Sequence, residues 1–310
     1  MATFKYYNVQ VLPLNKGKMI GSEGYQKIFK DLKILVDENI EMDSINGIAH
    51  KLQNDFFIAP IKIHIRDDIA YGEIMKFDTV SSVFGTLDNK EKYVSSGGDS
   101  SKKYIYRFVF DFNKHILAIE KSQNLPSAKV LISILTEMLG GHSQVNYPDY
   151  ALKIMEMTDS ESLKAVINDA ASYKKVEVDI TFSNSEDWSE GLTDVMLEKL
   201  ESELKSNSID SVHHIEKSEK GTMTEPSNIA KMYLSLACKF GNASIAYKNL
   251  DGRINNYKMT DNPIVLQVKD NVKGKIKSTL DFALDIKKTI KDADSISKKA
   301  TSIIDNLRKG

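Results

Sequence analysis

Residues 104–120, YIYRFVFDFNKHILAIE, form the stretch that decides the fold. Two runs rich in aromatic and β-branched residues flank Asn113 and Lys114, which have turn character. This pattern predicts two antiparallel strands joined by a short turn. Similar runs on the amino-terminal side predict further strands, at residues 3–12, 57–65, 69–77 and 79–87. The first half of the chain is therefore predicted to be a mostly antiparallel sheet.

Helices are predicted where apolar residues recur at steps of three and four. In the first half this pattern covers residues 25–36 and, more briefly, residues 44–52. Pro126 then opens a helix that ends at Gly140, because glycine commonly follows the last turn of a helix.

The middle of the chain alternates between strand and helix patterns. Residues 150–156, 160–171 and 174–182 predict a strand–helix–strand unit, and residues 189–205 predict another helix. The polar stretch 206–225 predicts irregular structure. A helix from Pro226 to Gly241 follows, and then three strands at residues 243–249, 253–259 and 263–268.

The last predicted element is a long amphipathic helix over residues 271–308, either unbroken or interrupted near Asp294. Its apolar residues recur at steps of three or four throughout. They are Ile276, Leu280, Ala283, Ile286, Ile290, Ala293, Ile296, Ala300, Ile303 and Leu307. Such a narrow stripe of Ile and Ala is typical of a helix that pairs with a partner helix. We therefore expect a homodimer.

Together these patterns predict an α+β fold in three parts. A chain of 310 residues exceeds the usual size of a single core, which favours more than one domain. The parts are an antiparallel-sheet-rich domain with two helices (1–125), a second α/β unit (126–268) and a basic amphipathic helical segment (269–310).

The charge is balanced in total but uneven along the chain. The chain contains 42 Lys and Arg residues and 43 Asp and Glu residues. This balance excludes a uniformly basic nucleic-acid coat and an acidic tail. Residues 268–310 contain ten Lys and one Arg against six Asp, a net charge of +5. Residues 1–267 contain 31 basic and 37 acidic residues, a net charge of −6. A basic terminal segment therefore follows an acidic body.

Clustered lysines can neutralise phosphates without reading a base sequence. We expect DNA contacts from the terminal clusters and from basic residues beside the Gly/Ser-rich loop at residues 95–103. The predicted DNA-binding residues are Lys102, Lys103, Arg107, Lys273, Lys275, Lys277, Lys287, Lys288, Lys291, Lys298, Lys299 and Arg308.

A metal-dependent nuclease is the alternative from another class, since paired carboxylates on strands can hold Mg²⁺. Asp111 with Glu120, which could meet across a hairpin, and Glu177 with Asp179 are the candidate pairs. Adjacent residues such as Glu120 and Lys121 point to opposite faces of a strand, which does not suit that chemistry. Solvated strand charges are the favoured interpretation, and no catalytic residue, metal or cofactor is predicted.

The remaining candidate residues give no stronger indication of an enzyme. His213 and His214 precede Glu216, but adjacent histidines on a strand diverge, and no phosphate-binding or nucleophile motif occurs. The single cysteine, Cys238, lies on an apolar helical stripe and is predicted to be buried. The absence of a long apolar run and of a secretory signal predicts a cytoplasmic protein.

The order of elements resembles that of the RexA-like phage-exclusion family. The stretches that carry this resemblance are SSVFGTL (81–87), YRFVFDFNKHILAIEKSQNLPS (106–127), LGG (139–141), VDITF (178–182) and ASIAYKNLDGRINNYKM (243–259), followed by the lysine-rich terminal helix. The resemblance implies an α+β homodimer that binds double-stranded DNA independently of sequence. It also implies a role in sensing phage replication and a separate membrane or effector partner.

The DNA-binding residues named above come from the charge map and not from this resemblance. Two alternatives stay open at the level of the sequence: a metal-dependent nuclease of a defence system, and a non-catalytic module whose terminal helix meets a partner protein.

Overall fold

The computed structural model describes residues 1–14, 18–53, 55–95, 97–181, 203–204, 206–207, 209, 211–220, 222–272 and 275–307. Its helices are Gly21–Glu41 (α1), Ala128–Asn146 (α2), Ser160–Asp169 (α3), Asn228–Phe240 (α4) and Thr279–Leu307 (α5). The first eight strands are Ala2–Pro13 (β1), His50–Lys51 (β2), Phe56–Arg66 (β3), Ile69–Asp78 (β4), Ser82–Phe84 (β5), Glu91–Val94 (β6), Lys103–Asp111 (β7) and Ile116–Glu120 (β8). The other eight are Tyr150–Glu156 (β9), Ala170–Thr181 (β10), Ser211–Lys217 (β11), Gly241–Asn249 (β12), Ile254–Lys258 (β13), Val265–Val268 (β14), Asn271–Val272 (β15) and Lys275–Ile276 (β16). The predicted α+β class is confirmed.

The larger sheet is antiparallel, with the order β14-β1-β8-β7-β4-β3-β2. The twelve-residue strand β1 lies next to one edge of this sheet: β8 pairs with one side of β1, while β14 and β9 share the other. β9 and β14 both come from beyond residue 125. The sheet therefore extends across the domain boundary predicted at that residue.

Helices cover both faces of the larger sheet. On one face α1 and α2 pack on an aromatic core, in which the rings of Phe29 and Phe110 stack with centroids 4.7 Å apart. On the other face α5 packs on Phe4, Tyr6 and Val109, which are buried.

The smaller sheet is antiparallel, with the order β11-β10-β12-β13. Alternate residues of β10, Val176, Val178 and Ile180, face α4 and are buried. The residues between them point to the opposite face, as the two-residue period of a strand requires. None of the described elements packs on that second face, which we call the open face.

Several predicted elements differ from the observed ones. The prediction that α2 ends at Gly140 is wrong, because Gly140 and Gly141 keep helical backbone angles and the helix continues to Asn146. The strand predicted at residues 79–87 is reduced to the three residues of β5. Residues 44–49 form turns and not a helix, and β11 lies within the stretch predicted to be irregular. The terminal helix begins at Thr279 and not at residue 271, because the Ser278 hydroxyl accepts a hydrogen bond from the Asp281 amide and β15 and β16 precede it. The helix predicted at residues 189–205 lies almost wholly outside the described residues.

The apolar stripe of α5 is covered by this chain and not by a partner helix. α5 contacts the larger sheet on one side and α3 and α4 on the other. Ile286, Ile290 and Ala293 are each at most 1% exposed in this position. The interpretation of the stripe as a seam for a second copy is therefore wrong for its described part, because the chain's own core fills it.

Candidate nucleic-acid interface and ligand cleft

The open face of the smaller sheet has a basic end. Lys175 on β10 stands directly opposite Lys217 on β11, and Lys248 lies beyond this pair on β12. Lys258 on β13 is farther along the same face, in the row of Ser244 and Glu177. Like charges directly opposite each other destabilise a sheet. Lys175 is neutralised by Glu177, whose Oε2 atom lies 2.5 Å from its Nζ atom. This hydrogen bond holds the pKa of Glu177 below its usual value.

Three positive charges remain on this face without local neutralisation. The side chains of Lys217, Lys248 and Lys258 are exposed, and none of them forms an ion pair with a described residue. The strands that carry them belong to one sheet and the three side chains point to the same face, so the charges share one surface.

The other end of the open face contains the carboxylates of the nuclease alternative. His213 lies between them: its Nδ1 atom is 2.5 Å from Asp179 Oδ1, and its Nε2 atom is 3.5 Å from Glu177 Oε1. His214 points to the opposite face and contacts Tyr233 and Glu216, as predicted for adjacent residues. Within the described ranges, no group of three His, Cys, Asp or Glu side chains is arranged to hold a metal ion.

The second pair predicted for a nuclease is not brought together. Asp111 pairs with Ile116 beside the turn of the β7–β8 hairpin, where its carboxylate accepts hydrogen bonds from the Asn113 and Lys114 amides. Glu120 instead lies opposite Arg107, four residues farther along β7. At about 3.3 Å per strand residue, the two carboxylates are roughly 13 Å apart along the hairpin. The expectation that they meet is wrong.

Several of the predicted DNA-binding residues form ion pairs with acidic residues of the same chain. Arg107 makes a two-point ion pair with Glu120, with both N–O distances 2.7 Å, and its guanidinium lies 4.3 Å from the ring centre of Phe282. Lys287 reaches Asp68 at 2.5 Å and holds the pKa of that carboxyl below its usual value. These two side chains anchor α5 to the larger sheet.

Asp285 on α5 forms ion pairs with two more of them. Lys277 lies 2.5 Å from one of its oxygens, and the exposed Lys288 lies 2.8 Å from the other. Lys291, Lys102 and Lys103 are exposed and form no ion pair with a described residue. Lys273, Lys275, Lys298, Lys299 and Arg308 lie outside the residues whose side chains are described.

A cleft of about 480 Å³ opens beside the acidic end of the open face. It lies between the first turn of α2 and the ends of strands β9 to β12. Its lining is mostly apolar, including Ile132, Met155 and Ile180, with polar groups from Glu156 and His213.

Glu156 occupies an unusual position in this cleft, since its side chain is only 6% exposed. Its Oε1 atom accepts hydrogen bonds from Lys5 Nζ at 2.7 Å and from the Tyr7 hydroxyl at 3.0 Å. Burial, together with the charge of Glu156, raises the pKa of Tyr7 far above its usual value, so the hydroxyl stays protonated and donates. The Oε2 atom of Glu156 is buried without a hydrogen-bond partner among the described residues.

A family model described as a domain of unknown function, DUF4747, matches residues 3–285. The chain belongs to the DUF4747 family. No curated protein matches the sequence. Within this DUF4747 protein the open face and the cleft lie inside the matched range. The predicted DNA-binding residues from Lys287 onwards lie beyond it.

Two further predictions can be compared with the structure of this DUF4747 protein. Cys238 is fully buried in α4, as predicted, and burial raises the pKa of its thiol to about 12. Among the described helices, none combines the length and apolar character that crossing a membrane requires.

Sequence reasoning missed the open face and the cleft. Lys217, Lys248 and Lys258 are separated by up to 41 residues in sequence, so no local cluster marks them. A prediction of β11 would have provided the missing signal, because strand pairing places Lys217 next to Lys175.

Proposed function

We propose that this protein binds the phosphate backbone of double-stranded DNA through the open face of the smaller sheet. The observation that carries the proposal is the excess of positive charge there, which includes two lysines directly opposite each other. Glu177 already neutralises Lys175, so Lys217 is the lysine of this pair that is left for an anionic partner. The class of ligand and the role in phage exclusion follow from the RexA-like resemblance.

The dimensions of the surface support a duplex as its ligand. Four neighbouring strands span about 14 Å, and a duplex presents one negative charge per about 1.7 Å of its axis. Three unpaired lysines within this span can contact several phosphates at once. Binding through lysine and phosphate alone is independent of base sequence.

This proposal places the DNA interface on the smaller sheet and not on the terminal helix. The described solvent side of α5 carries Lys288 and Lys291, but also Asp281, Asp285 and Asp292, so its charges largely cancel. The homodimer and the membrane or effector partner remain proposals that rest on the resemblance.

A salt titration with a fluorescently labelled duplex of about 30 base pairs tests the interface. The variant Lys217→Gln/Lys248→Gln/Lys258→Gln is expected to bind at least tenfold more weakly than the wild type. Its plot of log K against log salt should be shallower by about 0.9 for each phosphate that the variant no longer neutralises. Measurements between about 50 and 200 mM salt separate the two slopes.

The matched control is Lys27→Gln/Lys30→Gln/Lys51→Gln, which removes the same charge from exposed lysines of α1 and β2. We expect this control to bind almost as the wild type does. The proposal fails if both triple variants weaken binding equally, or if the wild type does not bind the duplex at low salt. Tighter binding of a single strand of the same length would overturn the choice of duplex DNA.

A further inference from the structure

We propose that the cleft between α2 and the ends of β9 to β12 is a binding site for a small apolar amine. This proposal does not depend on DNA binding, because the cleft and the basic end of the open face use different side chains.

The size and lining of the cleft suit a small organic molecule. A volume of about 480 Å³ falls within the range of about 300–1,000 Å³ that is usual for ligand pockets. Most of its lining surface consists of apolar atoms, to which Ile132, Met155 and Val212 contribute. An apolar ligand body would gain free energy by leaving water for this surface.

Glu156 determines which head group the ligand should carry. Lys5 and Tyr7 donate to one of its oxygens, and the other is buried with no donor from the described residues. A buried carboxylate oxygen without a donor is unfavourable, and an N–H group that reached it from the cleft would remove that penalty. The preferred head group is therefore a hydrogen-bond donor.

The polar groups around the cleft favour an amine head group over a carboxylate. Two carboxylates, Glu156 and Asp179, line the cleft with one lysine, Lys129, while Lys5 pairs with Glu156 at 2.7 Å, so the charges nearly balance. A protonated amine brings hydrogen-bond donors to the two carboxylates. A carboxylate head group would bring a further acceptor and no donor.

Matched probes with one aromatic body test the head-group preference. Tryptamine carries an ammonium group on an indole ring, and indole-3-propionate carries a carboxylate on the same ring. Isothermal titration of each into the full-length protein is expected to give one saturable site for tryptamine and at least tenfold weaker binding of indole-3-propionate. Equal affinities for the two probes, or no binding of tryptamine, would overturn the proposal.

Two variants locate the bound probe. Ala128→Trp places a large ring at the rim of the cleft and is expected to abolish tryptamine binding. Glu156→Gln removes the charge and is expected to weaken tryptamine at least tenfold while leaving indole-3-propionate unchanged or slightly tighter. Circular dichroism of both variants checks that they fold.

The control variant is Glu161→Gln, which makes the same substitution at a side chain that is 57% exposed and outside the cleft. It should bind both probes as the wild type does. If Glu156→Gln does not fold, Ala128→Trp still decides the location, because tryptamine binding that survives this variant places the site elsewhere.

Discussion

At the scale of single residues, the most consequential contact is the buried ion pair between α4 and α5. Lys239 Nζ lies 2.6 Å from Asp294 Oδ1, and the two side chains are 4% and 7% exposed. Lys114 from the β7–β8 turn approaches the other oxygen at 3.4 Å. The pair therefore joins three segments that are distant in sequence.

We predict that Asp294→Asn costs about 3–5 kcal/mol of unfolding free energy, because it removes the carboxylate charge that compensates the buried Lys239 ammonium. Urea denaturation measures the loss. Asp292→Asn, an exposed neighbour on the same helix, is the control and should cost less than about 0.5 kcal/mol. The double variant Lys239→Met/Asp294→Leu should recover most of the stability. Equal losses at positions 294 and 292 would contradict this account.

At the scale of elements, Asp78 at the end of β4 fixes the base of the β5–β6 hairpin. Its Oδ1 atom accepts hydrogen bonds from the Ser101 and Lys102 amides, each at 2.8 Å. Burial alone would raise the pKa of Asp78. Hydrogen bonds from the Ser101 hydroxyl, the two amides and Ser100 outweigh burial and lower this pKa to about 2.

The lowered pKa of Asp78 gives a prediction with a definite sign. Hydrogen bonds to the carboxylate stabilise the folded state fully above the pKa of an unfolded Asp, about 4. This stabilisation is lost as the pH falls through the folded-state pKa, about 2. NMR titration of the Ser101 and Lys102 amides should show a step near pH 2, and Asp78→Ala should abolish it. A step near pH 4 would mean that these hydrogen bonds do not hold the hairpin.

Strands β7 and β8 were predictable because their aromatic and β-branched residues bury one or both faces. β11 was not, because it is an edge strand whose residues are only half-buried or exposed, so no apolar alternation marks it. Periodicity predicted the terminal helix but could not tell a partner helix from the chain's own sheet, since both bury the same stripe.

The candidate DNA interface could not be predicted from local sequence either. Local charge density selected Arg107 and Lys287, whose acidic partners are 13 and 219 residues away in sequence. Only the fold brings such partners together. The three lysines of the open face form one patch for the same reason, which is why a charge map along the sequence did not find them.

At the scale of the whole molecule, α5 lies between the larger sheet and the helices of the smaller one. Phe282 and Ile290 pack on the larger sheet, while the Ser160 hydroxyl of α3 donates to the Ile296 carbonyl at 2.5 Å. Both sheets therefore contribute to the surroundings of one helix. Removal of α5 should expose the apolar faces of both sides together.

Two truncations separate this packing role from DNA binding. A chain ending at Ser278 lacks all of α5 and should lose cooperative unfolding and bind a hydrophobic dye, because the surface that packs against Phe282, Ile286 and Ile290 would be exposed. A chain ending at Ser297 keeps every described buried side chain of α5 but removes Lys298, Lys299 and Arg308.

The longer of these two chains should unfold as the full-length protein does and keep at least half of its affinity for the duplex, since the open face remains intact. Denaturation and the salt titration measure the two quantities. A folded, monodisperse chain ending at Ser278 would show that α5 is peripheral. A folded chain ending at Ser297 that no longer binds the duplex would instead assign DNA binding to the terminal lysines, because that chain would have kept the described packing of α5 and lost the terminal charges.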